Sequence, residues 1–240
     1  MNILVADDYE AMSRLAADLM LARLSWRQDL LLALALGETP IRTYQLLVDR
    51  LRAGPVNAKL LRVLKINEWV GMTLTDPASC EWHLRKYVLD PLNIPVERSF
   101  GFSSDPSDYD AECQRMRDVL QREGPIDLCV LGLGMNGHLG WNEPGETLAR
   151  SVHLSELSDT TQGHSLLGGA SHPPTFGLTL GIGDLLQSRY AMLLVSGKHK
   201  AQQMRRLMDK DITTQFPASL LWTHPDAICI CDKEAYALCQ

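Results

Sequence analysis

His138 and Glu143 stand five positions apart in Leu131-Gly-Leu-Gly-Met-Asn-Gly-His-Leu-Gly-Trp-Asn-Glu-Pro-Gly145, a glycine-rich turn that closes the apolar run Ile126–Leu133. An imidazole exchanges protons near neutral pH, and a carboxylate beside it fixes its tautomer, so the two residue types at this spacing can form an oriented acid/base pair. Glycines at 132, 134, 137 and 140 would let the main chain approach a ligand closely, because they carry no Cβ. Open α/β folds take their ligands in loops at the carboxyl ends of parallel strands, where this turn would lie. The plainer alternative is a chain reversal holding a hydrogen-bonding histidine, since a Gly-x-Gly pattern alone is weak.

Two other segments have the chemistry to hold an anion. Gly37-Glu38-Thr39-Pro40 separates the apolar run Asp29–Leu36 from the helix-like Ile41–Ala53. Pro40 suits a first helical turn, and the open N–H groups of such a turn attract phosphate. A simple helix cap by Thr39 fits the same residues equally well. Val195-Ser-Gly-Lys-His-Lys200 also passes from a strand into a helix, which puts Lys200 within reach of a phosphate already held by amides; a solvated helix start is the alternative. A third segment, Lys65-Ile-Asn-Glu-Trp-Val70, ends a strand. Neighbouring side chains of an extended strand face opposite ways, so Asn67 and Glu68 cannot both meet a ligand unless the strand end is twisted or bulged.

The elements that must position these residues alternate along the chain. Strand-like runs cover Met1–Ala6, Asp29–Leu36, Leu61–Asn67, Ile126–Leu133, Tyr190–Val195 and Ala227–Cys231, with Ile126–Leu133 expected at the centre. Helical spacing covers Asp8–Leu24, Ile41–Ala53, Pro77–Leu89, part of Asp105–Glu123 and His199–Met208. This alternation predicts an α/β fold with a mainly parallel sheet. Gly101–Asp110 and Gly163–Thr175 read as irregular loops. With no repeat, low-complexity tract or linker, residues 1–240 read as one domain.

Composition narrows the functional classes. A chain of 240 residues, 45% hydrophobic and 22% charged, can bury an ordinary globular core. The net charge of -6 argues against a nucleic-acid partner, which requires a basic face, while leaving room for a small anion held by one lysine and a helix start. No apolar run nears the roughly 20 residues that span a bilayer, and Met1–Asp8 has no signal-peptide pattern. The six cysteines form no Cys-x-x-Cys and no metal-ligand spacing, so they read as free thiols of a reducing, cytoplasmic setting.

From Asp127 to Glu146 the chain reads Asp-Leu-Cys-Val-Leu-Gly-Leu-Gly-Met-Asn-Gly-His-Leu-Gly-Trp-Asn-Glu-Pro-Gly-Glu. This run resembles the signature of the glucosamine-6-phosphate deaminase/isomerase family, in which a glycine turn, Gly-His and Asn-Glu-Pro recur together. Its letters are those of the galactosamine-6-phosphate deaminase/isomerase branch, and the resemblance extends from about Leu31 to about Asp232. It implies a single Rossmann-like, three-layer domain with a mobile lid over about 155–176. It implies a sugar phosphate as partner, held at Gly37, Glu38, Thr39 and Lys200, and no metal or organic cofactor. It implies that His138, oriented by Glu143 and Asn136, opens the sugar ring. Relatives range from monomers to hexamers, so a homo-oligomer stays open. The expected reaction is isomerisation with loss of ammonia from an amino-hexose 6-phosphate, galactosamine 6-phosphate giving tagatose 6-phosphate.

Three positions depart from the family pattern. Glu38 replaces a small residue, and Leu36 stands where a threonine is usual. Asn67 stands where the family has the aspartate that moves a proton between C2 and C1, and an amide is no base near neutral pH. That function would then fall to a group near Asn67 or Glu68, although hydrogen bonding to main chain near the site is the plainer role for Glu68. Two alternatives follow: a 6-phosphogluconolactonase-like hydrolase on the same fold, which needs no such base, or a weakened protein that binds sugar phosphates without turnover.

Overall fold

Apolar runs with alternating facing build the centre of the computed structural model, which describes residues 1–73, 75–168 and 173–239. In chain order the elements are β1 (Asn2–Ala6), α1 (Tyr9–Trp26), β2 (Leu31–Leu34), α2 (Glu38–Ala53), β3 (Arg62–Lys65), β4 (Asn67–Trp69), α3 (Cys80–Leu84), α4 (Asp90–Leu92), β5 (Ser99–Phe100), α5 (Tyr109–Glu123), β6 (Leu128–Gly132), β7 (His153–Glu156), α6 (Asp159–Gln162), β8 (Phe176–Thr179), α7 (Ile182–Leu186), β9 (Ala191–Val195), α8 (Ala201–Met208) and β10 (Ala227–Asp232). A π-helical stretch, Arg85–Leu89, joins α3 to α4.

Seven strands form one sheet in the order β1-β10-β9-β6-β2-β3-β5, with every neighbouring pair parallel. β6 is its middle strand, as expected. Successive side chains of a strand point to opposite faces, and the two faces bury different partners. Leu32, Leu34, Val130 and Leu194 pack with Met12, Ala16 and Met20 of α1 and Leu47 and Leu51 of α2. Leu31, Ala33, Cys129 and Leu193 pack with Met116 of α5 and Met204 and Leu207 of α8. Helices thus cover both faces, which gives the three-layer, Rossmann-like α/β arrangement. Cys129, Cys229 and Cys231 are free and buried.

The expected strand Leu61–Asn67 is two strands. β3 ends at Lys65, and after Ile66 the chain enters a second, three-stranded sheet of order β4-β8-β7, antiparallel throughout. The helix expected over Pro77–Leu89 starts at Cys80, where the Ser79 side chain caps it by accepting the Trp82 N–H. The expected lid-like segment, about 155–176, holds the end of β7, α6 and the first residue of β8; its residues 169–172 lie outside the described residues. Among the described residues no helix is long and apolar enough to cross a membrane.

Candidate active site

From β2 the chain moves outward through β3 to β5, then returns to β6 on the other side of β2 and moves outward again through β9 to β10. The sheet order reverses between β2 and β6, and crevices form at such points outside the carboxyl ends of the strands. A cavity of about 400 Å³ lies there, lined among others by the 37–39 turn, Asn67, His138, Thr161, His164 and Lys200. The structure therefore brings together the turn after β2, the turn after β6 and the lysine after β9.

On the anion side, α2 begins at Glu38 with Gly37 at the capping position and no side-chain cap. Thr39 is inside the first turn, so the simple cap by its hydroxyl does not occur, and the N–H groups of this end are left for another acceptor. Lys200 Nζ donates to the Leu133 carbonyl at 2.7 Å. Burial disfavours its charge and brings its pKa down to about 8, while Glu38 acts the other way. Glu38 lines the cavity with its side chain exposed. Opposite this turn stands His164, which spacing alone did not single out. A Cβ built on Gly37 would lie 4.0 Å from its Nε2, and its Nδ1 accepts the Leu166 N–H at 3.1 Å. Burial, then the nearby His138 and Lys200, lower the pKa of His164 to about 4.

On the proton-transfer side, His138 is 8% exposed and sits edge-on to Trp141 with ring centroids 5.5 Å apart. A Cβ on Gly134 would come within 2.6 Å of three atoms of the His138 ring, so this glycine makes room for the imidazole rather than for a ligand. Gly137, at φ +92, has the Phe216 ring in the corresponding place. Asn142 pins the turn by donating to the carbonyls of Leu139 and Leu180 at 2.8 and 2.9 Å. The next residue, Glu143, accepts from Asn136 Nδ2 at 2.6 Å, Ser158 Oγ at 3.0 Å and Thr161 Oγ1 at 2.6 Å. Burial opposes its ionisation, but His138 and the Thr161 and Asn136 hydrogen bonds outweigh burial and bring its pKa down to about 2. His138 Nδ1 is 3.5 Å from Glu143 Oε1 but 3.0 Å from Thr161 Oγ1. Asn136 was expected to orient the imidazole directly. Instead its Oδ1 accepts the His138 main-chain N–H at 3.1 Å, and its amide serves Glu143.

At the Asn67–Glu68 corner the structure separates the two residues and gives Glu68 the plainer, main-chain-bonding role. Asn67 lines the cavity, 3% exposed, with Nδ2 3.8 Å from Cys80 Sγ. Glu68 is fully buried and points the other way, as strand alternation requires. Its carboxylate accepts from Lys65 Nζ at 2.7 Å and from the N–H groups of Trp69, Cys80 and Glu81 at 3.0, 2.9 and 2.8 Å. Two of these amides open α3, so Glu68 ties β4 to that helix start. It is not available as a base in the cavity. Glu81 is a second partner of Lys65 at 3.0 Å. Burial favours the neutral amine of Lys65, yet the two glutamates raise its pKa above the usual lysine value. Among the described residues no group of three or more His, Cys, Asp or Glu is placed to hold a metal ion.

The family described as glucosamine-6-phosphate isomerases/6-phosphogluconolactonase matches residues 7–229. The chain belongs to this family. Its match begins ahead of α1, well before the Leu31 from which the resemblance was legible. The chain is 39% identical to the Escherichia coli (strain K12) protein named "Putative deaminase AgaI" over 224 residues, 93% of this chain and 89% of that protein. It is 33% identical over 240 residues to the glucosamine-6-phosphate deaminase of Geobacillus sp. (strain WCH70), covering 99% and 96% of the two chains. Among solved structures, a monomeric glucosamine-6-phosphate deaminase superposes with TM-score 0.95 at 30% identity, over 99% of this chain and 100% of that one. The 6-phosphogluconolactonase of Leishmania guyanensis superposes with TM-score 0.77 at 19% identity, over 98% and 97%, a likeness of fold alone. The chain is thus a member of an enzyme family, and these relatives at 30% identity or more carry deaminase names.

Proposed function

We propose that the chain converts an amino-hexose 6-phosphate, galactosamine 6-phosphate, to a ketose 6-phosphate, tagatose 6-phosphate, and ammonia. The observation that carries this reading is the shared cavity: His138 opens onto the same space as the uncapped start of α2 and Lys200. The phosphate lies on the N–H groups of residues 37–39, with the Lys200 ammonium and the His164 Nε2 side of the ring beside it. His138 takes the proton of the anomeric hydroxyl and returns it to the ring oxygen, which opens the pyranose. A C2 proton is then moved to C1 and an amino proton to O1, leaving an imine at C2 beside a C1 hydroxymethyl. Water adds there and ammonia departs, so one water is consumed for each ammonia released. Glu68 is held elsewhere and Asn67 has no basicity, so we assign the C2-to-C1 transfer to His138 as well. Glu143, ionised down to about pH 2, stabilises the imidazolium formed in each transfer. The choice of the galacto sugar rests on the resemblance of residues 127–146 to that branch of the family.

The test is ammonia release from galactosamine 6-phosphate and glucosamine 6-phosphate, with 6-phosphogluconolactone hydrolysis run in parallel. The expected result is ammonia from the galacto sugar in preference, and its loss in His138→Ala. Turnover of the lactone alone, or a rate untouched by His138→Ala, would overturn the assignment.

A further inference from the structure

The hydroxyl of Thr161 stands between Glu143 and His138. It lies 2.6 Å from Glu143 Oε1 and 3.0 Å from His138 Nδ1, closer to each than the 3.5 Å that separates Nδ1 from Oε1. A hydroxyl has a single proton to donate and two lone pairs with which to accept. An ionised carboxylate only accepts, so the Thr161 proton goes to Oε1. Oγ1 then meets Nδ1 with lone pairs only, and a favourable contact requires the proton on Nδ1. A neutral imidazole carries one N–H, so Nε2 is left as its free acceptor.

We infer that Thr161 is a positioning residue that carries the influence of Glu143 to His138 and holds the imidazole in the Nδ1–H form, with Nε2 ready to take a proton. Its placement supports this. Thr161 is 1% exposed in the short helix α6. Ser158, the N-cap of that helix, accepts the Thr161 N–H and also donates to Glu143 Oε2 at 3.0 Å. Asn136 Nδ2 lies 3.0 Å from the same Ser158 hydroxyl. α6 is therefore fastened to the carboxylate through both Ser158 and Thr161. Glutamate and histidine sit in one turn of the sequence, yet their link is a hydroxyl supplied by another segment.

The catalytic part of this inference rests on the deaminase reading; the tautomer does not. ¹⁵N–¹H correlation of the imidazoles in the ligand-free protein reads the tautomer directly, and His138→Gln identifies which of the seven histidines is which. Wild type and Thr161→Ser are expected to show His138 with the proton on Nδ1. Thr161→Val, which keeps the shape and loses the hydroxyl, is expected to lose that preference. Ammonia release is expected to fall roughly 100-fold in kcat for Thr161→Val, the lower end for a positioned proton-transfer group, with KM little changed and most of the rate restored by Thr161→Ser. A wild-type His138 protonated on Nε2, or a Thr161→Val spectrum identical to wild type, overturns the inference. The expected tautomers without ammonia release from any form would sustain Thr161 and sink the deaminase reading instead.

Discussion

Glu143 and Glu68 are both carboxylates surrounded by donors, the first partly buried and the second fully, and they do opposite things. The donors of Glu143 are side chains: Asn136, Ser158 and Thr161, the last of which also contacts His138. The donors of Glu68 are Lys65 and three main-chain amides. Amides at a helix start are fixed, and a carboxylate spent on them ties secondary structure together. Hydroxyls and amide side chains can pass on an orientation, and a carboxylate spent on them can govern a reactive group. Each glutamate is held by several donors, so being hydrogen-bonded does not by itself separate the two. The identity of the donors does.

Breaking each glutamate should therefore give different failures. Glu143→Gln keeps the shape but removes the charge that stabilises an imidazolium. Ammonia release is expected to fall roughly 100- to 10,000-fold, the range for losing positioned acid/base function, with a chemical denaturation midpoint close to wild type. Glu68→Gln strips Lys65 of one of its two carboxylate partners, the fully buried one. It is expected to cost about 3 kcal/mol of folding stability, the low end for a broken buried pair because Glu81 remains. Its kcat per folded molecule should stay near wild type. If Glu68→Gln lost activity while fully folded, the division between the two carboxylates would be wrong.

The same contrast explains what the sequence made legible. The middle strand, the glycine turn and the His138–Glu143 pair could be read because they lie within one continuous run, and an unbroken apolar stretch marks a strand covered on both faces. The 37–39 turn marks a strand-to-helix passage that left a cap and an anion site equally open, and Lys200 stood out only through the family resemblance. The second sheet could not. Its strands, β4, β7 and β8, are three or four residues long, and β4 comes from a distant part of the chain. A single residue, Ile66, separates β3 in one sheet from β4 in the other, and both sides are equally buried, so no change of pattern marks the switch. Ser158, Thr161 and His164 were illegible for a related reason. A hydroxyl or imidazole in or beside a four-residue helix carries no periodic signal, and only the tertiary fold shows that Thr161 meets residue 138 and His164 meets residue 37.

Asn67 sharpens the comparison, because it occupies the cavity-facing position that Glu68 does not. If His138 performs the C2-to-C1 transfer, Asn67→Asp adds a carboxylate that the reaction does not need. The expected outcome is less than a tenfold change in kcat for ammonia release. A gain of roughly 100-fold or more, the value of a newly positioned general base, would return that step to position 67 and leave His138 with ring opening alone. Deuterium from solvent appearing at C1 of the product, compared between wild type and Asn67→Asp, reports on the same step.

The smallest expected effect concerns the other end of the substrate. Burial brings Lys200 from the usual lysine range down to about 8, so the group is an ammonium below that pH and an amine above it. A phosphate dianion favours the ammonium, and its binding raises the pKa of Lys200 in the complex. Affinity therefore holds steady below pH 8 and declines as pH rises through about 8, by at most about tenfold per unit for one linked proton. Titration calorimetry with a sugar phosphate from pH 7 to 9.5, on wild type and Lys200→Met, measures it. The variant should bind more weakly at pH 7 and show a flatter profile. His164, neutral until about pH 4, should contribute no slope in this range. An equal slope in Lys200→Met would mean that the phosphate end is governed by another group, and that the cavity holds its anion by the amides of α2 without this lysine.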